Sequence, residues 1–220
     1  MADLVIPLIE HTDNDYLDLR FALRGFDLYL KPDRVFLIGA KPAWVKNVEH
    51  IPAEDIMQND QREANMFRKL LLYPGEEFIY ANDDHFLIAP WEEQYAWDVP
   101  LLSKFYSLGR GSNYQKTVAN TRLIVPQGNN YDVHCPMLMH KTMLSKLERL
   151  RWNQPYGYCL KTVYVHVSKI NGVQQVDLKI RQPFKWPEIQ GRRWFSTADG
   201  VVEKSMPVFN KLYPKKSRYE

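Results

Sequence analysis

The stretch Phe78-Ile79-Tyr80-Ala81-Asn82-Asp83-Asp84-His85-Phe86-Leu87 decides how the chain is read. Its first four residues form a short apolar run of the kind found in a strand buried on both faces. The run ends in three consecutive polar side chains. Carboxylates just past an apolar strand can hold Mg²⁺ or Mn²⁺, hard cations that prefer oxygen ligands. Such an ion neutralises the diphosphate of a nucleotide and stabilises it as it leaves. The same three residues also suit an Asx turn capping the next element, because Asn and Asp favour turns for their own reasons. Spacing alone leaves both open.

Upstream, strand-like and helix-like segments alternate. Residues 4–9 are an apolar run stopped by His11-Thr12-Asp13-Asn14, a polar turn with good helix-capping residues. Over 15–30, Leu19, Leu23, Phe26 and Leu30 recur at helical spacing, and Pro32-Asp33 ends that helix. Residues 34–38 form a second buried strand closing on Gly39, and 48–51 a third, short one. A helix over 61–73 buries Met66, Phe67, Leu70 and Leu71 and stops at Pro74-Gly75. This alternation predicts an α/β fold with a mostly parallel sheet. Ligands on such sheets bind at the carboxyl ends of the strands. The turns at 11–14, 39–41 and 82–84 are therefore expected along one edge, with His11 and Asp13 facing a bound nucleotide.

Beyond residue 90 the pattern is less regular. Residues 140–151 read as a helix and 162–168 as a β-rich run. Residues 174–180 are expected to pair with that run through the hairpin signal Asn171-Gly172. The tail from Gln182 is rich in Pro, Trp, Lys and Arg and shows no clear element. Residues 1–140 are therefore read as one α/β core, and 141–220 as a basic, aromatic, irregular extension of the same domain.

Composition narrows the classes. With 220 residues, 45% hydrophobic and 25% charged, the chain has ordinary globular usage, which excludes disorder and collagen-like arrays. Its longest apolar runs fall far short of the roughly 20 residues that span a bilayer. The first residues carry Asp3 and Glu10 and lack a basic n-region, so they do not read as a signal peptide. Two cysteines exclude a disulfide framework and fit a reducing cytoplasm. The net charge of +3 divides into −7 over 1–140 (13 Lys/Arg, 20 Asp/Glu) and +10 over 141–220 (16 Lys/Arg, 6 Asp/Glu). That split suits a polyanionic partner, and equally a solvated basic surface.

Three segments carry a family resemblance: Leu17-Asp18-Leu19-Arg20-Phe21-Ala22-Leu23-Arg24-Gly25, then Val35-Phe36-Leu37-Ile38-Gly39 with Pro42-Ala43-Trp44, then the acidic stretch at 78–87. With Tyr131-Asp132-Val133-His134-Cys135-Pro136, they resemble the Stealth family of sugar-phosphate transferases. The resemblance implies a GT-A-like, three-layer α/β/α fold and a nucleotide-sugar donor. It places Asn82-Asp83-Asp84 at the Asp-x-Asp metal motif of GT-A enzymes. Asp84 is then the metal ligand, Asp83 and Asn82 help bind metal or ribose, and His134 is a third ligand. Arg20 would face the nucleotide phosphates, as would Arg62 and Asn65 on the helix before the acidic motif. One segment departs from the family. Where Stealth proteins open with a Tyr-Thr-Trp-Val-Asp-like strand end, this chain has Ile6-Pro7-Leu8-Ile9-Glu10-His11-Thr12-Asp13. Ordinary glycosyl transfer on the same fold therefore stands ahead of phosphosugar transfer, which is kept as the alternative.

Asp132 is the candidate general base. An inverting transfer needs a carboxylate to take the acceptor's proton, whereas a cap would use the same residue structurally. On the acceptor side, Lys185, Trp186, Arg192, Arg193 and Trp194 interleave cations with aromatics, which suits phosphates and stacked bases. A hydroxymethylated base of phage DNA is the expected acceptor, with a surface glycan second; a non-catalytic nucleic-acid binder on the same fold is the third alternative. Two segments are set aside. Gly111-Ser112-Asn113-Tyr114-Gln115-Lys116-Thr117 lacks the glycine before lysine of a phosphate loop. Cys135, Cys159, His134, His140 and His166 lack zinc-ligand spacing.

Overall fold

The computed structural model describes residues 2–10, 15–56 and 59–220. In chain order the elements are β1 (Asp3–Leu8), α1 (Leu17–Tyr29), β2 (Val35–Gly39), β3 (Glu49–Ile51), α2 (Arg62–Leu71), β4 (Glu77–Tyr80), β5 (His85–Leu87), β6 (Ala96–Trp97), α3 (Leu101–Ser107), α4 (Asn113–Ile124), β7 (Met137–His140), α5 (Lys141–Ser145), α6 (Leu160–Val167), β8 (Val173–Gln174), β9 (Lys179–Ile180), β10 (Trp194–Thr197), α7 (Val201–Lys204) and α8 (Met206–Leu212).

The main sheet has the order β3-β2-β1-β4-β7. β1 pairs in parallel with both β2 and β4, and β2 with β3; only β7 runs antiparallel, against β4. Side chains alternate across the pleat into two apolar layers. Leu4, Ile6, Leu8, Leu37 and Ile79 pack with α1 on one face, and Val5, Phe36, Ile38, Phe78 and Tyr80 pack with α2 and α6 on the other. This is the three-layer α/β/α arrangement.

Helix α1 begins after two left-handed residues, Asp15 and Tyr16, and ends where Lys31, also at positive φ, donates its N–H to the Phe26 carbonyl (2.7 Å) just before Pro32. Of residues 162–168, expected as β, 162–167 lie in α6. Their β-branched side chains favour a strand by less than tertiary packing can override. A helix lets Val163 and Tyr164 enter the second core. It also lets Lys161 donate to the carbonyls of Val133 (2.6 Å) and Cys135 (2.8 Å), while the Thr162 hydroxyl accepts from the N–H of Tyr131 (2.9 Å). The expected hairpin partners therefore separate: β8 pairs with β6, and β9 with β10.

The basic 141–220 stretch is not irregular. It supplies β9 and β10 of a second sheet with β5, and its Phe184, Phe195, Phe209 and Tyr213 pack with Phe21 and Phe86 against α1. Aromatic rings in a segment without period still form a core when an existing apolar face awaits them.

Gly39 closes β2 at φ +114°, and a Cβ there would stand 2.1 Å from the Leu8 carbonyl oxygen. Gly39→Ala is expected to cost about 2–4 kcal/mol. Thermal unfolding should show it as a fall in Tm of roughly 5–15 °C.

Candidate functional site

A cavity of about 1060 Å³ opens at the carboxyl ends of β1, β2 and β3. Ile9 and Glu10 follow β1 into it, Gly39, Ala40 and Lys41 come from the end of β2, and residues 52–56 come from the end of β3. Arg62, Glu63 and Asn65 on α2 and Asn113, Tyr114 and Thr117 on α4 close the other side. The floor is tied by polar side chains. Lys69, buried, donates to the Leu8 carbonyl (2.6 Å) and pairs with Asp55 (2.8 Å). Asn65 grips the backbone of Ile56 twice, accepting from its N–H and donating to its carbonyl, both at 3.1 Å. Asn65 thus holds the 52–56 wall in place.

The acidic turn lies at the end of β4, next to β1. The side-chain oxygen of Asn82 accepts from the Tyr80 hydroxyl (2.7 Å), and its backbone N–H donates to the Nδ1 of His85 (3.2 Å). The turn is closed by the backbone N–H of His85, which donates to the Asn82 carbonyl (3.3 Å). Asp84 pairs through Oδ2 with Lys179 of β9 (3.0 Å), while its Oδ1 is buried without a hydrogen-bond partner. The Oδ1 of Asp18, at the start of α1, is in the same condition. Burial, followed by the charges of Asp83, Glu203, Asp84 and Asp199, pushes the Asp18 carboxyl up to about 8. Among the described residues no three His, Cys, Asp or Glu side chains converge as a complete ligand set. A hard divalent cation bound with a diphosphate needs only one or two protein carboxylates, since phosphate oxygens and water fill the rest. The surplus of carboxylates and the orphaned Asp84 oxygen fit such an ion.

Arg62 links this turn to the cavity. Desolvation works against its charge, but the carboxylates of Glu63, Asp84 and Asp83 hold its guanidinium protonated. The next residue, Glu63, has a buried oxygen, Oε2, without a partner. Asp132 does not line the cavity, but its charge acts on cavity-lining Glu63 and Tyr114. Glu63, Tyr114 and Lys161 carried no motif in the sequence. The segment containing Tyr114 and Thr117, set aside as a phosphate loop, lines the cavity through α4, capped by Ser112, whose hydroxyl accepts from the Gln115 N–H (3.2 Å).

Other expected site residues lie elsewhere. His11 and Asp13 fall outside the described residues. Arg20 faces away from the cavity: it pairs with Asp15 (2.9 Å), stacks over Trp44 (4.4 Å to the ring centre) and borders a smaller pocket of about 360 Å³. His134 is committed to Asp177, its Nδ1 at 2.8 Å and its backbone N–H at 2.9 Å. Burial raises the Asp177 carboxyl, but these bonds outweigh it and hold the group below the ordinary range. Trp194 is a core residue of β10, buried in the cluster that includes α1. Arg193 pairs with Glu92 (2.8 Å) and donates to the Pro90 carbonyl (2.6 Å). Lys185, Trp186 and Arg192 are surface residues, and none of the five lines the cavity.

No protein-family model matches the chain, and no curated protein matches its sequence. The Stealth resemblance therefore rests on the short motifs quoted above. Solved structures do match. The galactosyltransferase LgtC, solved in complex with donor and acceptor sugar analogs, is similar over 99% of this chain and 97% of its own, with a TM-score of 0.50 at 10% identity. A glycosyltransferase involved in the glycosylation of the major capsid of PBCV-1 covers 94% of this chain and 98% of its own (TM-score 0.41, 12% identity). PaToxG glycosyltransferase covers 96% and 76% (TM-score 0.35, 6% identity). At this identity the likeness to LgtC is one of fold, and it agrees with the GT-A-like architecture.

Because Asn65 alone carries both hydrogen bonds to Ile56, Asn65→Ala should cost about 1–3 kcal/mol. Limited proteolysis should then cut within 52–56 well before global unfolding.

Proposed function

We propose that this chain is a glycosyltransferase that moves a sugar from a nucleotide-sugar donor to an acceptor hydroxyl. One observation carries this proposal: the large cavity at the carboxyl edge of a parallel sheet is joined, through Arg62, to the acidic turn at the end of β4. The nucleoside would occupy the part walled by Asp55, which Lys69 holds from behind. The diphosphate then lies toward Arg62, where a guanidinium can hold phosphate oxygens. Asp84 and Asp83 would hold the Mg²⁺ or Mn²⁺ that the fold implies, and the bound ion would neutralise the leaving diphosphate. Lys179, now on Asp84, adds a second positive charge beside that place.

The acceptor enters from the side of α4. A hydroxymethylated DNA base is placed second, since the aromatic and basic residues expected to bind DNA are core, paired or outside the cavity lining. A saccharide hydroxyl suits the polar wall of Glu63, Asn113, Tyr114 and Thr117 better. Phosphosugar transfer uses the same donor cavity and differs in the nucleotide released. Among the described residues no helix is long and apolar enough to cross a membrane.

A mass-spectrometric screen of sugar nucleotides against saccharide and hydroxymethylated-DNA acceptors tests the proposal. The expected result is release of a nucleoside diphosphate that requires Mn²⁺ or Mg²⁺, disappears in Asp84→Ala and falls at least tenfold in Arg62→Ala. Release of a nucleoside monophosphate would replace glycosyl transfer by phosphotransfer. Absence of any turnover or nucleotide binding, with salt-sensitive DNA binding in its place, would leave a nucleic-acid binder.

A further inference from the structure

We propose that helices α3 and α4, with the turn between them, dock this chain on an anionic lipid surface. Because α4 also forms one wall of the cavity, docking places the acceptor at that surface. The docking stands by itself; only the place of the acceptor rests on the transferase reading above.

Charge marks the segment first. Between Asp98 and Asp132 the chain has no Asp or Glu, yet it carries Lys104, Arg110, Lys116 and Arg122. Asp98 is spent on Lys104 (2.7 Å) and on the side-chain amide of Asn130 (2.8 Å). Lys116 donates to the Tyr156 hydroxyl (2.9 Å), and Arg122 lies over the Phe105 ring (5.1 Å to its centre). Both partners are neutral, so neither charge is cancelled. Arg110 is exposed in the turn, and no ion pair holds it among the described residues. A Cβ added at Gly109 or Gly111 would meet nothing within 4 Å, so the turn that carries Arg110 projects into open space. Cations presented in this way are drawn to a leaflet of anionic lipid.

The same segment exposes apolar side chains that its own core does not use. Leu101, Val118, Val125 and Cys159 form a small buried cluster, with Phe105, Leu108 and Tyr114 packed against it. Leu102 and Tyr106, one turn apart on α3, stay outside, as do Leu123 and Ile124 at the end of α4; Tyr106 is 74% and Leu123 81% exposed. Tyr106 and Leu123 each follow a member of the Phe105–Arg122 contact, so they emerge from one junction between the helices. Exposed Leu, Ile and Tyr beside unneutralised Lys and Arg are what a helix lying in the headgroup boundary presents. A second copy on this face would set like charge against like, because a two-fold interface pairs the same patch with itself. An anionic surface meets both the charge and the apolar side chains.

One helix joins this face to the cavity. Asn113, Tyr114 and Thr117 of α4 line the cavity, and Leu123 follows Thr117 by six residues, about 9 Å along the helix axis. A docked α4 therefore keeps the cavity wall within a headgroup's reach of the lipid. On the transferase reading, the acceptor is then a saccharide carried by a lipid.

Vesicle flotation of the full chain, with no sugar nucleotide present, tests the docking. The chain should float with phosphatidylcholine–phosphatidylglycerol vesicles, stay behind with phosphatidylcholine alone, and bind less as salt is added. Leu123→Ser, Tyr106→Ser and Arg110→Glu should each lower partitioning about three- to tenfold. Lys215→Glu, the same charge change on an exposed residue outside the face, should leave it within roughly twofold. All four positions are exposed, and unchanged circular dichroism confirms the fold. A polarity-sensitive fluorophore on Leu123→Cys should shift to the blue on the anionic vesicles, and one on Lys215→Cys should not; Cys135 and Cys159 are buried and escape labelling. The docking is overturned by failure to float with anionic vesicles, by binding that all three face variants leave intact, or by a dimer in sedimentation that Leu123→Ser dissociates, which would give the face to a second copy. Once turnover is established, Leu123→Ser should slow transfer to a vesicle-borne glycolipid about tenfold and leave transfer to a soluble saccharide unchanged; equal rates on the glycolipid would remove the lipid-borne acceptor. Lack of turnover with every sugar nucleotide would count against the transferase reading and leave the flotation result to decide the docking.

Discussion

Parallel pairing of β1 with both β2 and β4 is the constraint on which the rest of the molecule depends. It points the carboxyl ends of these strands the same way and buries both of their faces under helices. Polar side chains at the end of a strand buried in this way have only the sheet edge available to them. The Asn82-Asp83-Asp84 turn, Gly39 and the segment after Leu8 therefore converge without any contact being needed to draw them together. Left-handed Gly39 serves this convergence, since any side chain there would meet the Leu8 carbonyl.

Buried lysines then turn an edge into a site. Lys69 ties the end of β1 to Asp55, and Lys161 ties the 131–135 segment to α6. Lys69 donates to one carbonyl and to the Asp55 carboxylate, and Lys161 donates to two carbonyls, so neither buried charge is left without acceptors. Their work differs. Lys69 shapes the cavity floor, whereas Lys161 fixes the backbone that carries Asp132. The resulting wall runs from the carboxylates at the end of β4, through Arg62, to a carboxyl whose proton affinity its neighbours have raised.

Much of the first ninety residues was legible. The helical spacing of Leu19, Leu23, Phe26 and Leu30 and the apolar runs of β1, β2 and β4 report local periods that the fold preserves. The C-terminal third was not. Residues 162–168 look like a strand because Val and Thr favour one, yet 162–167 are helical because that form buries Val163, Tyr164 and Val165 in one core. Trp194 resembles a binding residue in one dimension and is core in three, because it packs in the cluster that holds α1, far away in sequence.

By itself, the sequence determined the α/β class, the place of the acidic turn at a strand end and the helix that carries Arg62, since each follows from local period and turn chemistry. Only the tertiary structure decided which polar residues meet. It set Arg20 on Asp15 and Trp44, bound His134 to Asp177, and brought Glu63 of α2 within the field of Asp132, about seventy residues away. Burial and long-range proximity set the proton affinity of a side chain, and neither is written in the order of the residues.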